Sequence, residues 1–301
     1  MKKSVSMLLA ALMLTGALAG CGSSASTSAS GTQAADGADS GVSGAITVIS
    51  REDGSGTRGA FIELTGVEEK TADGKKVDNT TADAEIANKT DVVLTSVAGN
   101  EKAIGYISLG ALNDTVKAVK VDGAEATVDN VKAGAYKLSR PFNIATKGEP
   151  TGVAKDFINF ILSKEGQAVV TDNKYIAVND AAESFVSDGS SGQIAVGGSS
   201  SVSPVMEKLI EAYKSVNPNA SIDLQTSDST SGMTGAMDGT FAIGMASREL
   251  KDEEAAQLTG TAIALDGIAV IVNPAGTIDE LSMDQIKSIY VGDITDWGDL
   301  A

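Results

Sequence analysis

Three times along this chain a short apolar run ends in a turn of glycine and hydroxyl residues, and a helical pattern begins directly after it. The turns are Gly54–Thr57, Ser199–Ser203 and Ser227–Gly232. The first is the most informative. Ile46-Thr47-Val48-Ile49 is an apolar, β-branched run that suits a buried strand. Ser50-Arg51-Glu52-Asp53 leads into Gly54-Ser55-Gly56-Thr57, and helical character runs from Arg58 to Leu64. Glycines let a backbone turn tightly and approach a ligand closely. Ser55 and Thr57 are cap-type residues. The unbonded N–H groups of a first helical turn point outward at the positive end of the helix dipole. Arg51 and Arg58 add forked, permanently charged donors. Such a corner suits a tetrahedral oxyanion. Each turn alone also fits an ordinary capped helix start, so the functional expectation rests on all three meeting at one point.

Other phosphate-binding loops fit less well. No Gly-Lys-[Ser/Thr] stands at the spacing of a Walker-type loop. Gly54, Gly56 and Gly59 satisfy G-x-G-x-x-G, but four polar residues separate the strand from the first glycine. The helix is followed by the polar Thr71–Lys76 and not by a second apolar strand ending in an acid.

The chain has 301 residues, enough for two lobes of ordinary size, and a net charge of −17. That balance offers no basic face for nucleic acid. It does not exclude an anion ligand, because local dipoles and one or two arginines decide such a site. Histidine is absent, which removes His-based acid–base catalysis, His triads and His-ligated metals. Cys21 is the single cysteine, so no internal disulfide is available. Met1-Lys2-Lys3, an apolar core from Ser6 to Ala17 and Leu18-Ala19-Gly20-Cys21 together read as a signal peptide over 1–20 with a bacterial lipobox. Cleavage before Cys21 and lipidation of its sulfur are expected, with residues 21–44, rich in Ser, Ala, Gly and Thr, as a flexible tether.

Further along, the pattern predicts a helix within Thr80–Ala98, a strand at Ala103–Leu109 and an edge strand at Val116–Val121. A short helix at Val128–Ala133, a strand at Arg140–Ala145 and an amphipathic helix at Val153–Leu162 follow. Gly166–Thr171 reads as helix, Tyr175–Val178 as strand and Asn179–Gln193 as a second low-complexity linker. Beyond it come strands at Ile194–Gly198, Ser221–Gln225 and Phe241–Ala246, and helices at Met206–Tyr213, Met233–Met237, Asp252–Leu258 and Ser282–Tyr290. Ile263–Asn273 reads as a long strand interrupted by Asp266-Gly267. This alternation indicates α/β layers.

The segments GGSSSVSPVMEKL, DGTFAIGMASREL, ALDGIAVIVN, IYVGDITDW and SREDGSGTR resemble the phosphate-binding proteins of bacterial phosphate ABC importers, over nearly all of residues 45–301. The resemblance implies a two-lobed, periplasmic-binding-protein-like (type II) α/β fold with two hinge crossings, closing over phosphate. The order of segments departs from the family, whose members run GSSSV first and SREDGSGTR later. Here the later half, Ile46–Val178, comes first. That order resembles a circular permutation with Asn179–Gln193 joining the old ends; a truncated tandem gene or an assembly artefact leaves the same order. The implied lobes are residues 46–109 with 266–301, and residues 110–265 with their linker at 179–193, crossing near Gly105–Gly110 and Leu265–Asn273.

By motif position, Arg51, Ser55, Gly56 and Thr57 are the implied phosphate ligands from one lobe, with Asp53 orienting Arg51. Ser201, the Val202 backbone N–H and Ser229 are those from the other, and Ser247 stands where the family carries an aspartate that accepts the proton of hydrogen phosphate. Asp266 is the candidate replacement for that acceptor, and Arg58, Ser200, Ser231 and Arg248 are supporting candidates. The resemblance implies no cofactor, no metal and no catalysis. It implies an extracytoplasmic, lipid-anchored monomer that passes inorganic phosphate to membrane permease subunits. A receptor for another oxyanion, such as sulfate or molybdate, is the alternative, and a phosphate-processing enzyme a weaker one.

Overall fold

The computed structural model describes residues 43–300; the expected signal peptide, Cys21 and the expected tether through residue 42 lie outside the described residues. Apolar runs become strands and amphipathic stretches become helices in the alternation expected. In chain order these are β1 (Thr47–Arg51), α1 (Gly56–Thr65), β2 (Glu68–Lys70), β3 (Lys76–Asp78), β4 (Glu85–Ala87), α2 (Thr90–Ala98) and β5 (Ala103–Ser108). Then come β6 (Lys117–Ala118), β7 (Lys120–Val121), α3 (Val128–Lys132), β8 (Ser139–Thr146), α4 (Gly152–Leu162) and α5 (Lys164–Asp172). The second half holds β9 (Gly192–Ser199), α6 (Ser203–Val216), β10 (Ala220–Ser227), α7 (Ser229–Asp238) and β11 (Ile243–Ala246). It ends with α8 (Asp252–Ala255), β12 (Thr259–Val272), β13 (Glu280–Leu281) and α9 (Met283–Val291).

The main sheet has the order β10-β9-β11-β8-β12-β5-β1-β4, with β6 also paired to β12. β9 runs parallel to both β10 and β11, and β1 runs parallel to both β4 and β5. The antiparallel pair β8–β12 joins these two parallel groups. Each group has its own apolar cluster. Ile49, Phe61, Ile104, Tyr106 and Tyr290 belong to one, and Phe157, Val196, Met206 and Met245 to the other. The change of cluster happens inside the two joining strands or beside them. Ile263 and Ala264 pack in the second cluster while Ile268–Val272 pack in the first, and Leu138 packs in the first while Phe142 packs in the second. Charged residues occupy the junction, because Asp266 and Arg140 face each other in register across β8–β12.

Several expectations are corrected. The stretch after residue 110, expected with the other lobe, packs in the first cluster: Val116, Val119, Val121, Val131 and Tyr136 are buried there. The reason is pairing, since β6 lies antiparallel to Ile271–Val272 and the Val119 N–H donates to the Val270 carbonyl at 2.9 Å. Asp266-Gly267 does not interrupt β12, because β8 pairs with it through that point and β5 pairs with its other side from Ile268 onward. Thr80–Ala98 divides into the edge strand β4 and helix α2, leaving Ile86 exposed on the edge. Tyr175–Val178 makes a single bridge, between Ile176 and Leu265. At the start of the fold, Ala45 bridges Asp296 and the Ile46 N–H donates to the Thr295 carbonyl at 2.8 Å, so residues 45 and 296 lie side by side.

The stretch 179–193 is a fastened strap. Lys164 donates its N–H to the Glu183 carbonyl at 2.9 Å, and the Phe185 N–H donates to Glu165 at 2.7 Å. The Phe185 ring meets Phe160 edge-on with centroids 5.3 Å apart. Asp156 of α4 is the anchor. Its buried carboxylate accepts from Ser187 Oγ (2.7 Å), the Asp188 N–H (3.0 Å), Tyr213 OH (2.7 Å) and Asn217 Nδ2 (3.2 Å). Burial alone raises a carboxyl pKa, but these donors outweigh it and hold Asp156 below the ordinary carboxylate range. Its contribution to stability is therefore present above the ordinary carboxylate pKa and is lost as pH falls through the lowered native value. Asp156→Asn is expected to lower stability at neutral pH by about 2–4 kcal/mol, the scale of a broken buried network of charged hydrogen bonds. Denaturant unfolding measures this, and the variant should lose less stability than the parent on acidification. Limited proteolysis of the variant should cut within 183–190.

Candidate functional site

The parallel strands deliver their carboxyl ends to one place, the position where open α/β sheets hold ligands. β1 ends at Arg51, β9 at Ser199, β10 at Ser227 and β11 just before Ser247. Helices α1, α2, α6 and α7 begin there. Helix geometry leaves the first N–H groups of each without an intrahelical acceptor. Ser55 caps α1 by accepting from the Arg58 N–H at 3.3 Å. α1 and α7 touch at their starts, where the Thr230 N–H donates to the Gly54 carbonyl at 3.2 Å. Gly56 has to be glycine at this contact, because a Cβ there would stand 2.4 Å from Ser229 Oγ and 2.9 Å from Ser247 Oγ.

Between these termini runs a chain of buried hydroxyls. Ser200 Oγ lies 3.4 Å from Thr90 Oγ1, Thr90 Oγ1 3.3 Å from Ser201 Oγ, and Ser201 Oγ 2.8 Å from Thr57 Oγ1. Thr57 Oγ1 is also 3.4 Å from Ser247 Oγ, which accepts from Ser199 Oγ at 3.0 Å. The Ser247 N–H donates to Ser229 Oγ at 3.1 Å. A guanidinium closes each end. Arg51 Nη2 donates to Ser200 Oγ at 3.1 Å, and Arg140 Nη2 donates to Thr57 Oγ1 at 3.0 Å.

Both arginines are almost completely buried, and both keep open donors. Arg51 is held by Glu52, which accepts from Nε and Nη2 at 2.8 Å each, and by the Ala87 carbonyl at 3.2 Å from Nε. Its Nη1 has no partner among the described residues, and neither do Nε and Nη1 of Arg140. Arg140 Nη2 lies 3.2 Å from Asp266 Oδ2, and Asp266 Oδ1 accepts from Ser108 Oγ at 3.0 Å. Burial pushes the Arg140 pKa down to about 10 against the pull of Asp266, and the like charge of Arg51 pushes the same way. Burial also pushes the Asp266 carboxyl up to about 6, opposed by Arg140 and Ser108. An unfilled buried donor costs about 1–3 kcal/mol, more when charged. Buried guanidinium groups with unfilled nitrogens, each touching the hydroxyl cluster through Nη2, therefore favour an anion nearby, and hydroxyls that both donate and accept suit an oxyanion in more than one protonation state.

The structure brings together Arg51, Gly56, Thr57, Ser200, Ser201, Ser229 and Ser247, and Ser55 caps the helix that begins beside them. Several other assignments change. Asp53 does not orient Arg51: its exposed carboxylate accepts from Arg58 Nη1 at 2.8 Å, and the adjacent Glu52 does the orienting. Arg58 is spent on Asp78, Asp53 and the Arg51 carbonyl. Arg248 forms a two-pronged pair with Glu254 at 2.7 and 2.8 Å. Ser231 is exposed and bonds to Asp228. The Val202 N–H, expected to be a ligand donor, bonds to the Ser199 carbonyl at 3.0 Å in its own turn. Asp266 is linked to the hydroxyl chain through its ion pair with Arg140, while its side-chain hydrogen bond comes from Ser108. Sequence reasoning missed Glu52, Thr90 and Arg140. For Arg140 a signal existed: an arginine inside the apolar run Leu138–Ala145 is rarely buried without a partner. Among the described residues no His, Cys, Asp and Glu group is arranged to hold a metal, and no helix is long and apolar enough to cross a membrane.

A family model described as the PBP superfamily domain matches residues 24–165 and 184–301. A curated relative, phosphate-binding protein PstS 2 of Streptococcus agalactiae, is 49% identical over 302 residues, covering 99% of this chain and 98% of its own. The solved phosphate-binding protein of a phosphate ABC transporter from Streptococcus pneumoniae is 49% identical with a TM-score of 0.69, covering 86% of this chain and 100% of that one. Phosphate-binding protein PstS of Bacillus subtilis is 34% identical over 137 residues, 45% of this chain and 42% of its own. The two-cored α/β fold, the hydroxyl-lined junction and these full-length matches agree: the chain belongs to the PBP superfamily and, within it, to the family of the phosphate-binding proteins PstS.

Proposed function

We propose that this chain is a non-enzymatic receptor that captures inorganic phosphate at the junction of its two cores and hands it to the membrane permease of an ABC importer. The carrying observation is the buried hydroxyl chain from Ser200 to Thr57 with a guanidinium at each end. Arg51, Ser55, Gly56, Thr57, Ser201, Ser229 and Ser247 are the proposed ligand residues, with Ser200 and Thr90 completing the wall. The titratable cysteine and histidine chemistry that hydrolysis commonly uses has no representative at this site. Opening and closing of the two lobes about β8 and β12 is the proposed route of entry, supported by the change of apolar cluster within those segments.

The segment order is proposed to be a natural circular permutation. Adjacency of Ala45 and Asp296 supports it, because a short link at that point restores the order of other family members. So do the full-length matches to PstS 2 proteins beside a half-length match to the Bacillus protein. An extracytoplasmic location, lipid attachment at Cys21 and a monomeric state complete the reading.

Calorimetric titration with phosphate, sulfate and molybdate tests it. Phosphate is expected to bind tightly and sulfate weakly, and sulfate binding equal to phosphate removes the stated specificity. Arg51→Ala is expected to weaken phosphate binding by about 1.5–3 kcal/mol or more, the scale of hydrogen bonds to a charged group. An unchanged affinity places the site elsewhere.

A further inference from the structure

We infer that Arg140 is a second anion-contacting residue of the pocket and that Asp266 is its positioning residue, so that the bound oxyanion lies between two guanidinium groups. This rests on the reading of the pocket as a phosphate site and adds a ligand that no motif assigned.

The chain has four arginines, and they fall into two kinds. Arg58 and Arg248 are tied up by carboxylates and carbonyls: Arg58 by Asp78, Asp53 and the Arg51 carbonyl, Arg248 by Glu254 and the Glu249 carbonyl. They show how this fold uses an arginine as a strut. Arg51 and Arg140 differ. Each is nearly fully buried, each has one carboxylate neighbour, and each places one Nη2 on the same hydroxyl chain. Among the described residues, Nη1 of Arg51 and Nε and Nη1 of Arg140 are buried without a hydrogen-bond partner. A strut that only latched β8 to β12 has no reason to leave Nε and Nη1 unbonded in a dry site. Donors arranged for an anion account for both nitrogens.

The backbone explains how the side chain is aimed. Arg140 and Asp266 are register partners in the antiparallel ladder, so their side chains share a face. The carboxylate of Asp266 is held from its other side by Ser108, which leaves Oδ2 for Arg140. The guanidinium thus has a carboxylate beside Nη2, the Thr57 hydroxyl on that same nitrogen and the centroid of the Phe142 ring 5.5 Å from its carbon, while Nε and Nη1 have no hydrogen-bond partner among the described residues. Because these strands carry the change between the two apolar clusters, an anion bound to Arg140 also joins the two halves of the molecule.

The test is calorimetric titration of the purified protein with inorganic phosphate and with sulfate, alongside the melting temperature of each ligand-free variant. Arg140→Gln is expected to weaken phosphate binding at least tenfold, and Arg140→Lys to recover part of that loss, because an ammonium restores charge without the fork. Asp266→Asn is expected to lower the phosphate-to-sulfate affinity ratio at least fivefold, since phosphate can bind as its monoanion while sulfate stays a dianion, which the Asp266 charge opposes more. A purely structural Asp266 moves the melting temperature and leaves the ratio unchanged. A folded Arg140→Gln that binds phosphate within twofold of the parent overturns the inference. If that variant does not fold, parental affinity in Arg140→Lys overturns it equally. A parent protein that does not bind phosphate at all refutes the receptor reading instead, and the Arg140 variants are then titrated with whichever of the tested anions the parent binds, against the same tenfold criterion.

Discussion

Two positive charges lie buried within one hydrogen-bonded chain of side chains, and much of the architecture follows from holding them there. A guanidinium removed from water needs a carboxylate, polar partners and rigid walls. Glu52 and Asp266 supply the carboxylates, and the hydroxyls of Ser200 and Thr57 supply polar contacts. The walls are strand ends and helix starts, where backbone dipoles present positive ends. Repulsion between the two like charges is offset by the neighbouring acids Glu52 and Asp266.

The position of the pair explains why the fold needs two cores. Arg140 and Asp266 interrupt segments that are otherwise apolar, and neither cluster accepts them in its interior. They sit where one core gives way to the other, so the polar seam and the proposed phosphate site coincide. Tyr106 links this seam to the first core: its hydroxyl bonds Ser50 and receives the Arg51 N–H, while its ring stacks on Phe61 at 3.9 Å. Burial drives the Tyr106 hydroxyl pKa up to about 12, so it stays protonated as a neutral support for the Arg51 backbone.

The strap at 179–193 shows how an irregular, polar segment becomes ordered. It has too few apolar residues to form a core, yet Asp156, Glu165 and the Phe160 ring hold it at three places. Its composition resembles that of a loose linker, and its partners lie far away in sequence. Composition reports what a segment can bury by itself, not which donors a distant helix turns toward it.

Local chemistry was legible along the chain. Most of the apolar periodicity, the cap-type Ser55 and the three hydroxyl turns predicted elements that form, and the motif around Arg51 drew attention to one strand end at the hydroxyl cluster. These are properties of neighbours within a few residues, where spacing and side-chain type suffice. Contacts between distant residues were not legible in the same way. Whether Asp53 or Glu52 meets Arg51, whether residues 110–138 join the first core, and whether Arg140 reaches Thr57 all depend on strand register and on which ends meet. Register sets which side chains share a face, and burial turns a nearby charge into a partner or a penalty. Both are sums over the whole fold, so adjacency in the chain carries little information about them.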